Sequence, residues 1–242
     1  MISLKDAREQ RVLKKNPINM RITGWISHYL IYIGAKLRIS PNLISFSWII
    51  IAFLGIFFIA LGGYWNALIG ILIYHFALIL DSIDGGIARL TNKTNAGGEF
   101  LDRFFSTLNR SLILFAMGYG LFRIGKGEIF LYLGIYSAIL LYLENSIKMK
   151  NYESLINSNR VDLIKKRSSK INKLNLNITF YLKELFRPGN HFTLSFFSIL
   201  LGLINWYLYV FSALISIQII FVFFKVFFEL KNTPQSLSKK KF

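Results

Sequence analysis

Between Leu43 and Gly62 the chain runs for twenty residues without an acidic or basic side chain. As a helix that run is about 30 Å long, the thickness of a bilayer's hydrocarbon core. Inside lipid a segment must satisfy its own backbone hydrogen bonds, so such a run folds as a helix. Further runs follow. One starts near Trp65 and stays uncharged to Leu80 before meeting Asp81, Asp84 and Arg89. A third, Phe104 to Phe122, is interrupted by Arg110, and a fourth, Ile129 to Ile147, carries Glu144 near its end. From Phe192 to Phe224 there are 33 uncharged residues. That is too long for one span, and the polar and aromatic Asn205-Trp206-Tyr207 marks the expected break. Ahead of the spans, Ile18, Ile22, Trp25, Ile26, Tyr29 and Ile33 recur at helical spacing. The uncharged stretch there is too short to cross, which predicts an amphipathic helix lying in the interface. The expected fold class is an all-α membrane protein with six transmembrane helices and an N-terminal interfacial helix.

The charge pattern agrees. Lys and Arg number 29 against 12 Asp and Glu, while 54% of residues are apolar. Outside the spans, all Lys and Arg except Arg123 and Lys126 fall on one side of this topology. That is the positive-inside pattern, with both termini cytoplasmic. The basic excess then reads as topology and attraction to anionic membrane lipid, with no nucleic acid as partner. The basic start, residues 1–21, has no apolar core, so no secretory leader is expected. With no cysteine, thiolate metal sites and disulfide scaffolds are excluded. The chain divides into residues 1–40 (cytoplasmic start and interfacial helix), a membrane domain over 41–230 with a basic loop at 148–190, and a basic tail at 231–242. In the basic loop a solvated, lipid-facing surface and an attractor of anionic acceptors are both open readings.

Charged side chains inside membrane helices are costly, so they are functional candidates. They concentrate in Asp81-Ser82-Ile83-Asp84-Gly85-Gly86-Ile87-Ala88-Arg89 and Gly98-Glu99-Phe100-Leu101-Asp102. In a helix Asp81 and Asp84 share a face, and Gly85 and Ala88 continue it with almost no side chain. A bulky ligand can approach that bare backbone. On the next helix Asp102, Ser106 and Asn109 share a face. Two adjacent antiparallel helices would aim Asp81, Asp84 and Asp102 at one point. Converging carboxylates repel unless a cation neutralises them, and all-oxygen ligands suit a hard divalent ion. With Arg89 nearby, a metal-bound diphosphate is the natural ligand and phosphoryl transfer the natural reaction. The plain alternative is a solvated helix end with Arg89 as an interface anchor. A transporter using the carboxylates as ion ligands leaves the glycine and arginine spacing unexplained.

These residues resemble the signature of the CDP-alcohol phosphotransferase (CDP-alcohol phosphatidyltransferase) family. Its pattern is Asp, two residues, Asp-Gly, two residues, Ala-Arg, eight residues, Gly, three residues, Asp, three residues, Asp. Asp81, Asp84, Gly85, Ala88, Arg89, Gly98 and Asp102 fill seven of the eight fixed positions. Pro41-Asn42 also resembles the family's entry to its first span. The resemblance implies transfer of a substituted phosphate from a CDP-linked lipid or alcohol donor to an alcohol acceptor, with release of CMP, in phospholipid biosynthesis. It implies Mg2+ or Mn2+ held by Asp81, Asp84 and Asp102, with Gly85, Ala88, Arg89 and Gly98 around the cytidine nucleotide. It also implies a homodimer in the cell's inner membrane, with the site open to the cytoplasm.

The last position is Ser106, where the family has an aspartate thought to complete the metal site and to take the acceptor's proton. A hydroxyl is a poor base and a weak ligand. Three outcomes are compatible: one metal with substrate or water as base, Glu99 or Asn109 taking part of the role, or a silent relative that binds CDP-lipid or a partner. Elsewhere, Arg110 is expected to face a pocket or pair with Glu144 across helices. His191 is expected to anchor at the interface or touch an acceptor phosphate. His28 and His75 lack a partner at ligand spacing.

Overall fold

The computed structural model describes residues 19–92, 96–157 and 191–231. Every regular element among them is a helix: α1 (Asn19–Lys36), α2 (Pro41–Leu61), α3 (Tyr64–Leu90), α4 (Ala96–Arg123), α5 (Glu128–Asn157), α6 (His191–Leu200) and α7 (Ile204–Lys231). Four of these, α2, α3, α5 and α7, are long and apolar enough to cross a membrane. The helix α4 has 28 residues, but Asn109, Arg110 and other polar residues make it less apolar than those four. At ten residues, α6 is short, and what precedes His191 lies outside the described residues. Four of the six expected spans therefore stand as long apolar helices.

Local chemistry explains the boundaries. Pro41 opens α2, where its missing N–H costs no hydrogen bond. Gly62 closes it at φ 75°, and its N–H donates to the Ile59 carbonyl. A side chain at Gly62 would also strike the Gly120 carbonyl oxygen of α4. The long apolar run near the C-terminus breaks at Leu201-Gly202-Leu203, with Gly202 at φ 70°. The expected break at Asn205-Trp206-Tyr207 is corrected by this turn, because those residues lie in the first turn of α7. Glycine, without a Cβ, admits this left-handed backbone at no steric cost. The helix α5 also continues to Asn157, into the stretch read as basic loop. The rest of that loop, with the start before Asn19 and the tail after Lys231, lies outside the described residues.

Small residues set the helix crossings. A Cβ on Gly55 of α2 would sit 2.7 Å from the Gly70 carbonyl oxygen of α3, so the two backbones touch. Gly118 of α4 and Gly134 of α5 meet in the same way. Between them runs one core containing Trp48, Ile71, Tyr74, Ile113, Met117 and Leu208. The helix α1 packs on the last turns of α3, with Ile31 against Gly86 and Ile87 close to Gly34. Ile31 is 1% exposed, whereas Tyr29 is 50% and Ile33 48% exposed. Those two members of the expected apolar stripe thus face away from the protein. Phe46, Phe57, Phe221, Phe224 and Phe228 are exposed too, an apolar surface suited to lipid.

Candidate active site

The helix α2 packs against both α3 and α4, while α3 and α4 make no extensive contact with each other. The backbones of the two motif helices stay apart as the walls of a cleft beside α2, while the carboxyls of Asp81 and Asp102 interact across it. One wall carries Asp81, Asp84, Gly85, Ala88 and Arg89 on the last turns of α3. The other carries Gly98, Glu99, Asp102, Ser106, Asn109 and Arg110 on the first turns of α4. Phe192 of α6 lies between the walls. Its ring centre is 5.3 Å from that of Tyr74 on α3, and the Arg110 guanidinium of α4 stands 5.7 Å from it.

Asp84 is the most fixed of the acids. It is buried, and Ser45 Oγ of α2 donates to its Oδ2 at 2.5 Å. The Gly85 N–H donates to its Oδ1 at 2.5 Å. Trp48 Nε1 points toward it without reaching hydrogen-bond geometry. Asp81 is different. Its Oδ1 is sealed from solvent and has no donor. Its carboxyl interacts with those of Asp102 and Asp84, and with Arg110. Asp102 is exposed on its side of the cleft, and Ser106 Oγ donates to its Oδ1 at 3.5 Å. The Arg89 guanidinium is within electrostatic range of both Asp84 and Asp102.

Two carboxyl groups that face each other repel unless a shared proton or a bound cation lies between them. An oxygen with no donor is a free ligand atom. The donor set is all oxygen, so the chemistry fits Mg2+ or Mn2+. Among the described residues no three acidic or imidazole groups are gathered tightly enough to hold an ion as they stand. Gly85 itself is bare: the three atoms nearest to an added Cβ, 3.2–3.9 Å away, all belong to the flexible Arg89 guanidinium. That leaves room for a ligand beside the two acids.

Other expected residues fall elsewhere. Glu99 forms an ion pair with Arg103 on its own helix, both exposed. Asn109 is 1% exposed, and neither its amide nitrogen nor its oxygen has a partner. Glu144 does not pair with Arg110, which corrects that expectation. Its Oε1 instead accepts from Lys148 Nζ and from Gln218 Nε2 of α7, each at 2.5 Å. His191 is no interface anchor, because it is fully buried with Tyr207 Oη 3.3 Å from its Nδ1. His75 keeps its Nδ1 on the Ile71 carbonyl, 2.9 Å away. The residue missed by sequence reasoning is Ser45. Its signal was faint, a hydroxyl within an otherwise apolar span. That it meets Asp84, far along the chain, is a tertiary fact.

The spacing of these acids, glycines and the arginine has a counterpart among known proteins. No curated protein matches the chain. The family model for CDP-alcohol phosphatidyltransferase matches residues 38–218, which include both walls of the cleft. The chain therefore belongs to the CDP-alcohol phosphatidyltransferase family.

Proposed function

We propose that this protein is a divalent-cation-dependent membrane transferase of phospholipid synthesis. It moves a substituted phosphate from a CDP-linked donor, CDP-diacylglycerol or a smaller CDP-alcohol, to an alcohol acceptor and releases CMP. The observation that carries this reading is the cleft itself, where Asp81 and Asp102 face each other from separate helices and Arg89 stands within electrostatic range of Asp84 and Asp102.

Asp81, Asp102 and Asp84 would hold Mg2+ or Mn2+, Asp84 through the lone pairs left beside its hydrogen bonds. When bound, the ion supplies charge neutralisation at the diphosphate. The chain does the rest. Gly85 and Ala88 leave space for the nucleotide against α3, and Gly98 does the same at the start of α4. The Arg89 guanidinium grips the phosphates and steadies charge on the departing cytidylate. Ser45 holds Asp84 in place. The acceptor hydroxyl must lose a proton as it attacks phosphorus. Asp102 is the carboxylate nearest Ser106, so it receives that proton while the Ser106 hydroxyl orients the acceptor oxygen. Glu99, tied to Arg103, is the reserve base. Six spans, cytoplasmic termini, a location in the cell's inner membrane and a homodimer complete the proposal, as the basic-loop pattern and the family suggest.

A second reading has its own support: the hydroxyl at position 106 replaces a carboxylate. A silent relative would bind metal and CDP-lipid without turnover. One assay separates the two. Purified protein with Mn2+ and CDP-diacylglycerol is offered a panel of alcohols, and CMP is measured. Release that disappears in Asp81→Asn and Asp102→Asn supports the enzyme. Metal and CDP-lipid binding with no CMP from any donor supports the silent relative, and full activity in either variant rejects the site.

A further inference from the structure

Two arginines bracket the acids of the cleft from opposite ends. Asp81 of α3 meets Asp102 of α4, and the short link between Leu90 and Ala96 makes the two helices run in opposite directions. Arg89 and Gly98 lie on the side of that link. Tyr74 of α3, with Ser106 and Arg110 of α4, lies on the far side, Arg110 about 12 Å along the helix from Asp102. Arg89 is within electrostatic range of Asp84 and Asp102, where the diphosphate is assigned above. Arg110 has no such partner. Its guanidinium is half-buried, 5.7 Å from the centre of the Phe192 ring, which in turn leans on Tyr74. Asp81 is in its electrostatic range, yet among the described residues no carboxylate comes within ion-pair distance of it. Its neighbours are unanswered too. Asn109 is 1% exposed with both amide atoms unpartnered. His191, fully buried and within range of the same guanidinium, has no partner for its Nε2.

N–H groups without acceptors call for a ligand rich in oxygen. A guanidinium adds a preference for a negative one, and its fork of N–H groups matches phosphate. The diphosphate of the CDP-linked substrate is not that ligand, because it lies with the acids and Arg89. The acceptor fits. In-line displacement sets the attacking oxygen opposite the departing one. Cytidylate leaves at the Arg89 end, so the acceptor comes from the Arg110 end, with its hydroxyl at Ser106 and Asp102. Ser106 and Arg110 are one turn apart, about 6 Å along the axis, which a short carbon chain between hydroxyl and phosphate spans. We propose that Arg110 is the acceptor-recognition residue of this site, and that the acceptor is an alcohol that itself carries a phosphate monoester. Its hydroxyl oxygen bonds to the phosphorus distal to cytidine, the bond from that phosphorus to the cytidylate oxygen breaks, and the hydroxyl proton passes to Asp102. The acceptor's own phosphate stays intact on Arg110. The inference rests on the transferase reading above and adds the class of acceptor and the residue that selects it.

Matched acceptors test it on purified protein with Mn2+ and CDP-diacylglycerol or a CDP-alcohol: glycerol phosphate against glycerol, inositol phosphate against inositol, and serine as an alcohol bearing a carboxylate. CMP release favours the phosphorylated member of a pair by about tenfold or more in kcat/KM. Arg110→Gln raises the KM for that acceptor about tenfold or more, while the KM for the CDP-linked substrate and the unfolding temperature stay near those of the parent. Arg110→Lys keeps the charge and recovers part of the loss. A merely structural arginine would instead move both KM values or the unfolding temperature. Serine or an unphosphorylated alcohol as the preferred acceptor, or an unchanged acceptor KM in Arg110→Gln, overturns the inference and leaves the transferase reading standing. If the glutamine variant does not fold, the matched pairs on the unaltered chain decide. No CMP from any acceptor, whatever the CDP-linked substrate, overturns the transferase reading and this inference with it.

Discussion

Two regions of this molecule bury charge at the same depth and treat it in opposite ways. The helices α4 and α5, joined by a short turn, meet at Gly118 and Gly134. Counting the same distance along each places Glu144 of α5 level with Leu108 of α4, between Ser106 and Asn109. On the α5 side Ser137, Glu144 and Asn151 each have a polar partner across the interface with α7, although Glu144 Oε2, Asn145 Nδ2 and Asn151 Oδ1 stay without one. Ser137 meets Ser212 at 2.7 Å, Glu144 meets Gln218 at 2.5 Å, and Asn151 reaches Glu229 at 3.5 Å. Lys148 neutralises Glu144 from one turn away. Ser137, Glu144 and Asn151 recur every seven residues, which keeps them on one stripe of α5 along its parallel partner. On the cleft side, like charge faces like and oxygen and amide atoms stand without partners. Paired polar groups in a membrane are cohesion between helices. Unanswered ones are stored demand for a ligand.

Substitutions can break or sharpen this contrast. The largest effect belongs to the cleft: Asp81→Asn and Asp102→Asn each lower CMP release on the order of 10³-fold, while thermal unfolding in detergent stays near that of the parent. An equal loss of folding and activity would put these acids on the cohesive side of the comparison. Glu144→Ala does the reverse. It leaves Gln218 without its buried partner and costs about 1–3 kcal/mol of stability, with activity per folded molecule nearly unchanged. Unfolding and specific activity measured on the same preparation separate the two. Ser45→Ala removes the hydroxyl that holds Asp84 and lowers activity about tenfold, the equivalent of about 1.4 kcal/mol. Ser45→Thr, which keeps the hydroxyl, recovers part of it. The smallest effect is Ser137→Ala, about 0.6 kcal/mol, the average for one polar contact between membrane helices. A larger cost there would mean that the α5–α7 stripe acts as one network.

How much of this was legible beforehand depends on the range of the interaction. The opening of α2 at Pro41 and its close at Gly62 were readable, because Pro and Gly act through their own backbone. The break at Gly202 was equally local, yet the more polar Asn205-Trp206-Tyr207 outweighed it. An interface signal and a turn signal need not coincide, and the backbone of glycine decided. The motif residues were readable because fixed spacing on a helix fixes a face. Glu144 was readable as a buried acid, but its partner was not. Gln218 and Arg110 were both within reach in principle, and only the parallel packing of α5 on α7 chose between them.

From its order of residues alone, this chain determined that it folds as apolar helices and that acids, glycines and an arginine gather at one place along it. Those properties come from periodicity and solvation, which act within a few turns. Tertiary structure decided that Asp81 meets Asp102 from a separate helix, that Ser45 secures Asp84, and that Arg110 lies over the Phe192 ring. Each depends on which backbones approach at Gly55, Gly70, Gly118 and Gly134, and contacts between distant helices leave no periodic trace along the chain.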